Sequence, residues 1–434
     1  MNLQQPATAE SPIADARCRR VIEAMHTHRG DPAADIERML AVDPEAVAAH
    51  WLRVALAVQA DDATARSALV HSLALIEAVH PIDADPMHRH AEAARAWLDG
   101  DPDAALERYG ELVADHPRDI VALVLAHALD FRLGKRSLLR QRLARALRAW
   151  DATMPGYASV LAMYAFGLEE GGRYRRAERY AREALAFDPG HPSAIHALAH
   201  VLEMRGRASE GLALLAATEH HWIRGNAFSV HLAWHRGLFQ LDAADPAAAL
   251  ATYDALIAAA DPPTTAALAD ASALLWRLTL RNVDVAARWQ VLADRWEAQP
   301  LSHARPFFAM HAMMAFAAAR RRTLASRLMT MLPARPAARP EEAMAQPWCE
   351  ALLAFSRGDY RTCIERLLRV RRVAHRCGGS IAQCDLIHLT FTEAALRAHD
   401  ATLARTLVAQ RTAWKPMSWL NRLLQRRARA LAAA

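Results

Sequence analysis

The chain has 434 residues, of which 53% are apolar but only 6% aromatic, a balance that predicts close-packed Ala- and Leu-rich helices rather than sheets. No run approaches the roughly 20 uninterrupted apolar residues of a membrane span, and the opening MNLQQPATAESPIADARCRR lacks an apolar export segment, so a cytoplasmic protein without a membrane partner is expected. Fifty-three Lys and Arg against 47 Asp and Glu leave a net charge of +6 and a pI near 9.3.

That surplus gathers in Arg320, Arg321 and Arg322, in Arg369, Arg371 and Arg372, and in Arg422, Arg426, Arg427 and Arg429. No aromatic residues are interleaved, so solvated helix faces are expected and a nucleic-acid partner is not. The cysteines Cys18, Cys349, Cys363, Cys377 and Cys384 have no paired spacing, which predicts reduced thiols without a disulfide framework or structural zinc.

In chain order, residues 1–20 are expected to form a flexible N-terminus and 21–322 a tetratricopeptide-like helical array. Gly100 opens GDPDAALERYGELVADHP and Gly172 opens GRYRRAERYAREALAFDP, with Ala105 and Ala177 five residues on and Pro117 and Pro189 seventeen on. This is the second-helix half of a tetratricopeptide unit. Gly206 follows Gly172 by 34 residues, one repeat period, and Gly211 takes the small-residue place where helix packs on helix. Weaker echoes appear at Gly30 with Ala34, at Asp245 with Ala249 and Tyr253, and from Gly358 to Cys363. The stretch 323–347, containing MLPARPAARPEEAMAQP, reads as a proline-rich linker, and 348–434 as C-terminal helical repeats. The expected fold is all-α, a tetratricopeptide-type α-solenoid of stacked helical hairpins that can curl around a central pocket. One hairpin cannot bury its apolar stripe alone, whereas a stack buries a continuous seam and leaves a concave wall.

Candidate chemistry centres on two histidine pairs, His196 with His200 followed by Glu203, and His231 with His235. Residues four apart share one helix face, so each pair presents two imidazoles in one direction. Metal binding, a metal-free polar pocket and structural hydrogen bonding all fit this pattern. The zinc-hydrolase motif has glutamate directly after its first histidine, and Ala197 stands there instead. Glu169, near a helix end, reads as a solvated or capping residue, with a pocket carboxylate that would supply the missing base as the alternative, and Asp270 as the cap of a helix beginning before SALLW. Gln383 and Asp385 suit either a cap or the groove, and Trp234 and Trp276 suit the core. No serine elbow, phosphate-cradling loop or dinucleotide fingerprint is present.

The stretches HALAHVLEMRGR (196–207), HLAWH (231–235) leading into LATYDALI, DASALLWRL (270–278), GGSIAQCD (378–385) and the late AWKPMSWLNRLL resemble the tetratricopeptide repeat protein 38 family, from about His50 to the C-terminus. The resemblance implies an α-solenoid without a well-established activity. It maps recurring histidines onto His50, His90, His127, His196, His200, His231, His235 and His311, with Trp234 between the last pair. Relatives place acidic residues where this chain has Ala128 and Ala309, a departure that weighs against carrying over an enzymatic assignment.

The resulting expectation is a pocket formed by His196, His200, Glu203, His231, Trp234, His235, His127 and His311, binding a small molecule or a peptide or protein segment. The alternatives are an enzyme acting on a small amide-like metabolite through histidine acid-base chemistry or a divalent metal on His196, His200, His231 and His235, and an assembly scaffold contacting partners through its basic C-terminal helix. The sequence leaves the catalytic residues and the oligomeric state open.

Overall fold

The computed structural model describes residues 16–61, 65–79, 86–225, 228–260, 263–300, 305–332, 344–371 and 378–433. Among them it contains 24 α-helices and no strand, so the chain is all-α. It divides into two compact units, Met1–Ala197 with Arg224–Phe228, and Leu198–Ile223 with Ser229–Ala434.

The first unit holds α1 (Ala16–Thr27), α2 (Pro32–Val42), α3 (Val47–Ala60), α4 (Arg66–Val79), α5 (Pro86–Leu98), α6 (Pro102–Asp115), α7 (Ile120–Arg132), α8 (Arg136–Ala146), α9 (Tyr157–Glu170), α10 (Tyr174–Phe187) and the start of α11 (Pro192–Met204). The rest of α11 belongs to the second unit. With it are α12 (Ala208–Ala217), α13 (Glu219–Trp222), α14 (Ser229–Asp242), α15 (Pro246–Thr252), α16 (Thr265–Leu280), α17 (Ala286–Glu297), α18 (Pro306–Ala318), α19 (Arg322–Met331), α20 (Ala345–Ser356), α21 (Tyr360–Val370), α22 (Ile381–Arg397), α23 (Ala401–Trp414) and α24 (Trp419–Ala433).

The Asp-Pro dipeptides that punctuate the sequence start helices as well as ending them. Asp31, Asp101 and Asp245 each accept a hydrogen bond from a backbone N–H three residues on, with proline at the following position. That proline lacks an N–H the helix has no use for, and its φ is already helical. Each unit is a stack of helical hairpins of the tetratricopeptide type. Gly172 and Gly206, 34 residues apart, make the turns of α9 with α10 and α11 with α12 at φ of 69° and 70°. Ala177 is fully buried at its close-contact position, and a Cβ on Gly211 would sit 2.3 Å from the Phe239 ring.

The helix boundaries differ from the expected segments in two places. Helix α1 begins at Ala16, inside the segment expected to be flexible. Helix α19 runs to Met331, inside the expected linker, because Ala325 and Leu328 recur at helical spacing and are buried. Pro333, Pro336 and Pro340, like Arg372 and Cys377, lie outside the described residues. Among the described residues no helix is long and apolar enough to cross a membrane.

Candidate functional site

The second unit gathers His200 and Glu203 from α11, His231, Trp234 and His235 from α14, and Asp270 from α16. Ring centroids of His200 and His235 are 4.5 Å apart, those of His231 and His235 4.9 Å, and those of His200 and His231 6.3 Å. One ring nitrogen of each of the three lies within 4.8 Å of the others. His231 stacks on Trp234 at 5.1 Å and 18°.

Two of these rings are held by carboxylates. Nδ1 of His231 is 2.8 Å from Oδ2 of Asp270, and Nδ1 of His235 is 3.2 Å from Oε2 of Glu203. A carboxylate only accepts, so in the His231–Asp270 pair Nδ1 carries the proton and Nε2 keeps its lone pair, whereas the His235–Glu203 contact is at ion-pair distance. Burial holds the His200 ring well below the usual histidine value, with His235 adding to it, and burial also lowers His235. Glu203 is different. Burial alone would raise its carboxyl, but the Lys415 ammonium, at 2.9 Å, and the His235 ring hold it well below the usual range.

Behind Glu203 lies a layer of charge. Lys415 is also 3.7 Å from Asp385, and Arg411 grips Asp385 with both terminal nitrogens. Asn421 accepts from Arg411 at 3.1 Å and donates to the backbone oxygens of Arg411 and Lys415. Glu203, Asp385, Arg411 and Lys415 line a cavity of about 410 Å³ bounded also by residues of α14, α16, α22 and α24.

His196, one turn before His200 on α11, falls in the first unit, where it stacks on Phe166 at 5.4 Å and lies 4.7 Å from Phe228. Several other expected residues sit elsewhere. His127, also in the first unit, is 5.8 Å from Phe166, and burial lowers it to about 4. His50 lies within hydrogen-bond distance of the Ser72 hydroxyl and the Pro44 carbonyl, and His90 of Asp119. His311 is in the second unit and donates from Nδ1 to the Phe307 carbonyl at 2.7 Å.

Two readings are corrected. Asp270 caps no helix, because α16 starts at Thr265 under a Thr264 cap and places Asp270 in its interior, against His231. Glu169 is fully buried instead of solvated. Nothing in the sequence pointed to Lys415, Arg411 or Arg277, since charged residues near helix ends ordinarily face water.

No family model matches the chain. Among solved structures it is similar to human IFIT1 in a dimer with m7Gppp-AAAA, at 12% identity and a TM-score of 0.42, covering 98% of this chain and 96% of that one. A structure of Naa15/Naa10 bound to HypK-THB matches at 13% identity and a TM-score of 0.27, covering 95% and 64%. The P58(IPK) TPR domain matches at 12% and 0.23, covering 81% and 99%. The repeat character of this chain rests on its own helix spacing.

Proposed function

We propose that the chain is a helical-repeat protein whose second unit binds a ligand at a divalent-metal centre held by His200, His231 and His235. One observation carries this reading: three imidazole nitrogens lie within 4.8 Å of one another, with the His231 ring oriented at Nδ1 by Asp270 and the His235 ring 3.2 Å from the Glu203 carboxylate. Histidines that bind metals characteristically donate their other ring N–H to a carboxylate, which fixes the tautomer and makes the remaining nitrogen a better donor. Ligand nitrogens around a tetrahedral ion lie roughly 3.3 Å apart, a small closure from the present spacing. Three neutral nitrogens suit zinc, and equally iron, cobalt or nickel. An ion there would polarise a ligand oxygen or nitrogen that binds to it. Trp234, stacked on His231, keeps the site dry on one side.

The test is metal analysis of tag-free protein after loading with one equivalent of cobalt(II), read by elemental content and visible absorption. The parent should hold one ion with a tetrahedral spectrum. His200→Ala and His235→Ala should hold none, and Asp270→Asn should weaken binding roughly 10- to 100-fold. A folded parent that holds no ion, or alanine variants that hold it as tightly, would overturn the reading.

A further inference from the structure

The cavity behind Glu203 is a second candidate site, with different chemistry from the histidine cluster. Its wall carries four carboxylates, Glu203, Asp242, Asp385 and Glu393, and five cations. Every one of the four carboxylates is engaged. Glu203 bonds Lys415 and Asp385 bonds Arg411. Glu393 takes Arg397 and Arg427 at 2.7 Å each, and Asp242 accepts from the Ser418 hydroxyl and the Leu420 N–H at the start of α24.

Two guanidinium groups remain, Arg277 and Arg281, one helical turn apart at the end of α16. Arg277 is buried and, among the described residues, donates to the carbonyls of Ala273 and Ala382, at 3.1 and 3.0 Å. Arg281 donates from Nη1 to the Leu241 carbonyl at 2.8 Å. Its Nη2 is buried and has no hydrogen-bond partner among the described residues. Neither group has a carboxylate within 4.0 Å there. A buried guanidinium donor without an acceptor is costly, and the planar fork of arginine suits a carboxylate or phosphate. The remaining wall is apolar, formed by Leu238, Leu241, Leu420, Leu424 and the Trp419 ring, over which Arg281 lies at 5.6 Å.

We infer that this cavity binds a small amphipathic organic anion, its acidic head on Arg281 and Arg277 and its apolar body along α14 and α24. The inference does not rest on the metal reading, because the two arginines and the leucines lie outside the histidine cluster. Carboxylate and phosphate heads share the chemistry that the fork recognises, so both enter the test.

The experiment is calorimetric titration of the full chain with octanoate, octyl phosphate, octanol and octylamine. One or both anions should bind at a single site at least tenfold more tightly than octanol and octylamine, and the tighter of the two identifies the head. Arg281→Gln should weaken the anion at least tenfold and leave octanol unchanged, with Arg281→Lys falling between. Ala208→Phe, which adds bulk to the cavity wall without removing a charge, should abolish binding and serves as the deciding variant where Arg281→Gln does not fold. Metal-loaded and chelator-stripped protein should bind the anion alike. Absence of anion binding, equal binding of octanol, indifference to both substitutions or a strict need for metal would each overturn the inference.

Discussion

Nζ of Lys415 lies 2.9 Å from Oε1 of Glu203, a partner 212 residues earlier in the chain, and both side chains are buried. Removing one member of such a pair strands the other charge away from water, a loss of about 3 to 5 kcal/mol. Lys415→Met is therefore expected to destabilise the second unit by about that amount. Adding Glu203→Gln should recover part of the loss, because no uncompensated charge then remains. Denaturant unfolding of the two single variants and the double variant checks this. Strictly additive losses would show that the two groups do not act on each other.

His311 sets an acid limit on stability. It is fully buried, and burial lowers it to about 4 against 6.5 for a free imidazole. The unfolded chain therefore takes up a proton first, and stability is lost as pH falls from 6.5 toward 4. His311→Leu removes that proton uptake. Its stability relative to the parent should improve across this window by on the order of 2 to 3 kcal/mol, read from melting at pH 7, 5.5 and 4.5. A parallel pair of pH profiles would refute the assignment.

Asp130 in the first unit behaves with the opposite sign. Burial raises its carboxyl to about 7, only partly offset by Arg142, whose Nε lies 3.0 Å away. Here the folded state holds the proton more firmly, so the parent loses stability as pH rises from about 4 to about 7. Asp130→Asn should gain on the parent over that interval by on the order of 2 to 4 kcal/mol. Hydrogen exchange in α7 and α8 at pH 5 and 8 would localise the effect, and an unchanged difference between the two pH values would contradict it.

Gly172 and Gly206 occupy equivalent repeat turns, yet they should respond differently to alanine. Both have left-handed φ, which costs an L residue roughly 1 to 2 kcal/mol. Around Gly172 a Cβ would meet nothing within 4 Å, whereas at Gly206 it would lie 2.6 Å from the Ser418 backbone nitrogen. Gly206→Ala must push the start of α24 away and should cost about 1 to 3 kcal/mol more than Gly172→Ala. Equal melting shifts for the two variants would show that α24 yields freely.

The indole N–H of Trp276 donates to Oγ1 of Thr390 at 2.9 Å across 114 residues of chain, and both side chains are buried. Thr390→Val keeps the shape and leaves the N–H unpaired, with an expected loss of about 1 to 3 kcal/mol. Thr390→Ser retains the hydroxyl and should retain most of the bond's contribution. Comparison of the two by denaturation separates the hydrogen bond from packing.

Much of the architecture was legible in the sequence because it is local. The turn glycines 34 residues apart and the close-packed Gly211 each depend on residues within a turn or two of one another. The same holds for the histidine pairs, since i and i+4 share a face whatever surrounds the helix. Asp270 shows where this stops. From its position it read as a cap, a role set by where the helix begins, and a start at Thr265 moved it to the interior.

The sequence by itself determined that the chain would be helical, repeat-built and supplied with paired imidazoles, because helical period and capping are written in neighbouring residues. Only the tertiary structure decided which groups those imidazoles meet: Asp270 on His231 across 39 residues, Glu203 on His235, and Lys415 on Glu203 from the far end of the chain. It also decided that Arg277 and Arg281 face a cavity instead of water. Such meetings depend on how helix faces pack, and that geometry is the joint outcome of many apolar contacts, with no trace in the spacing of any one motif.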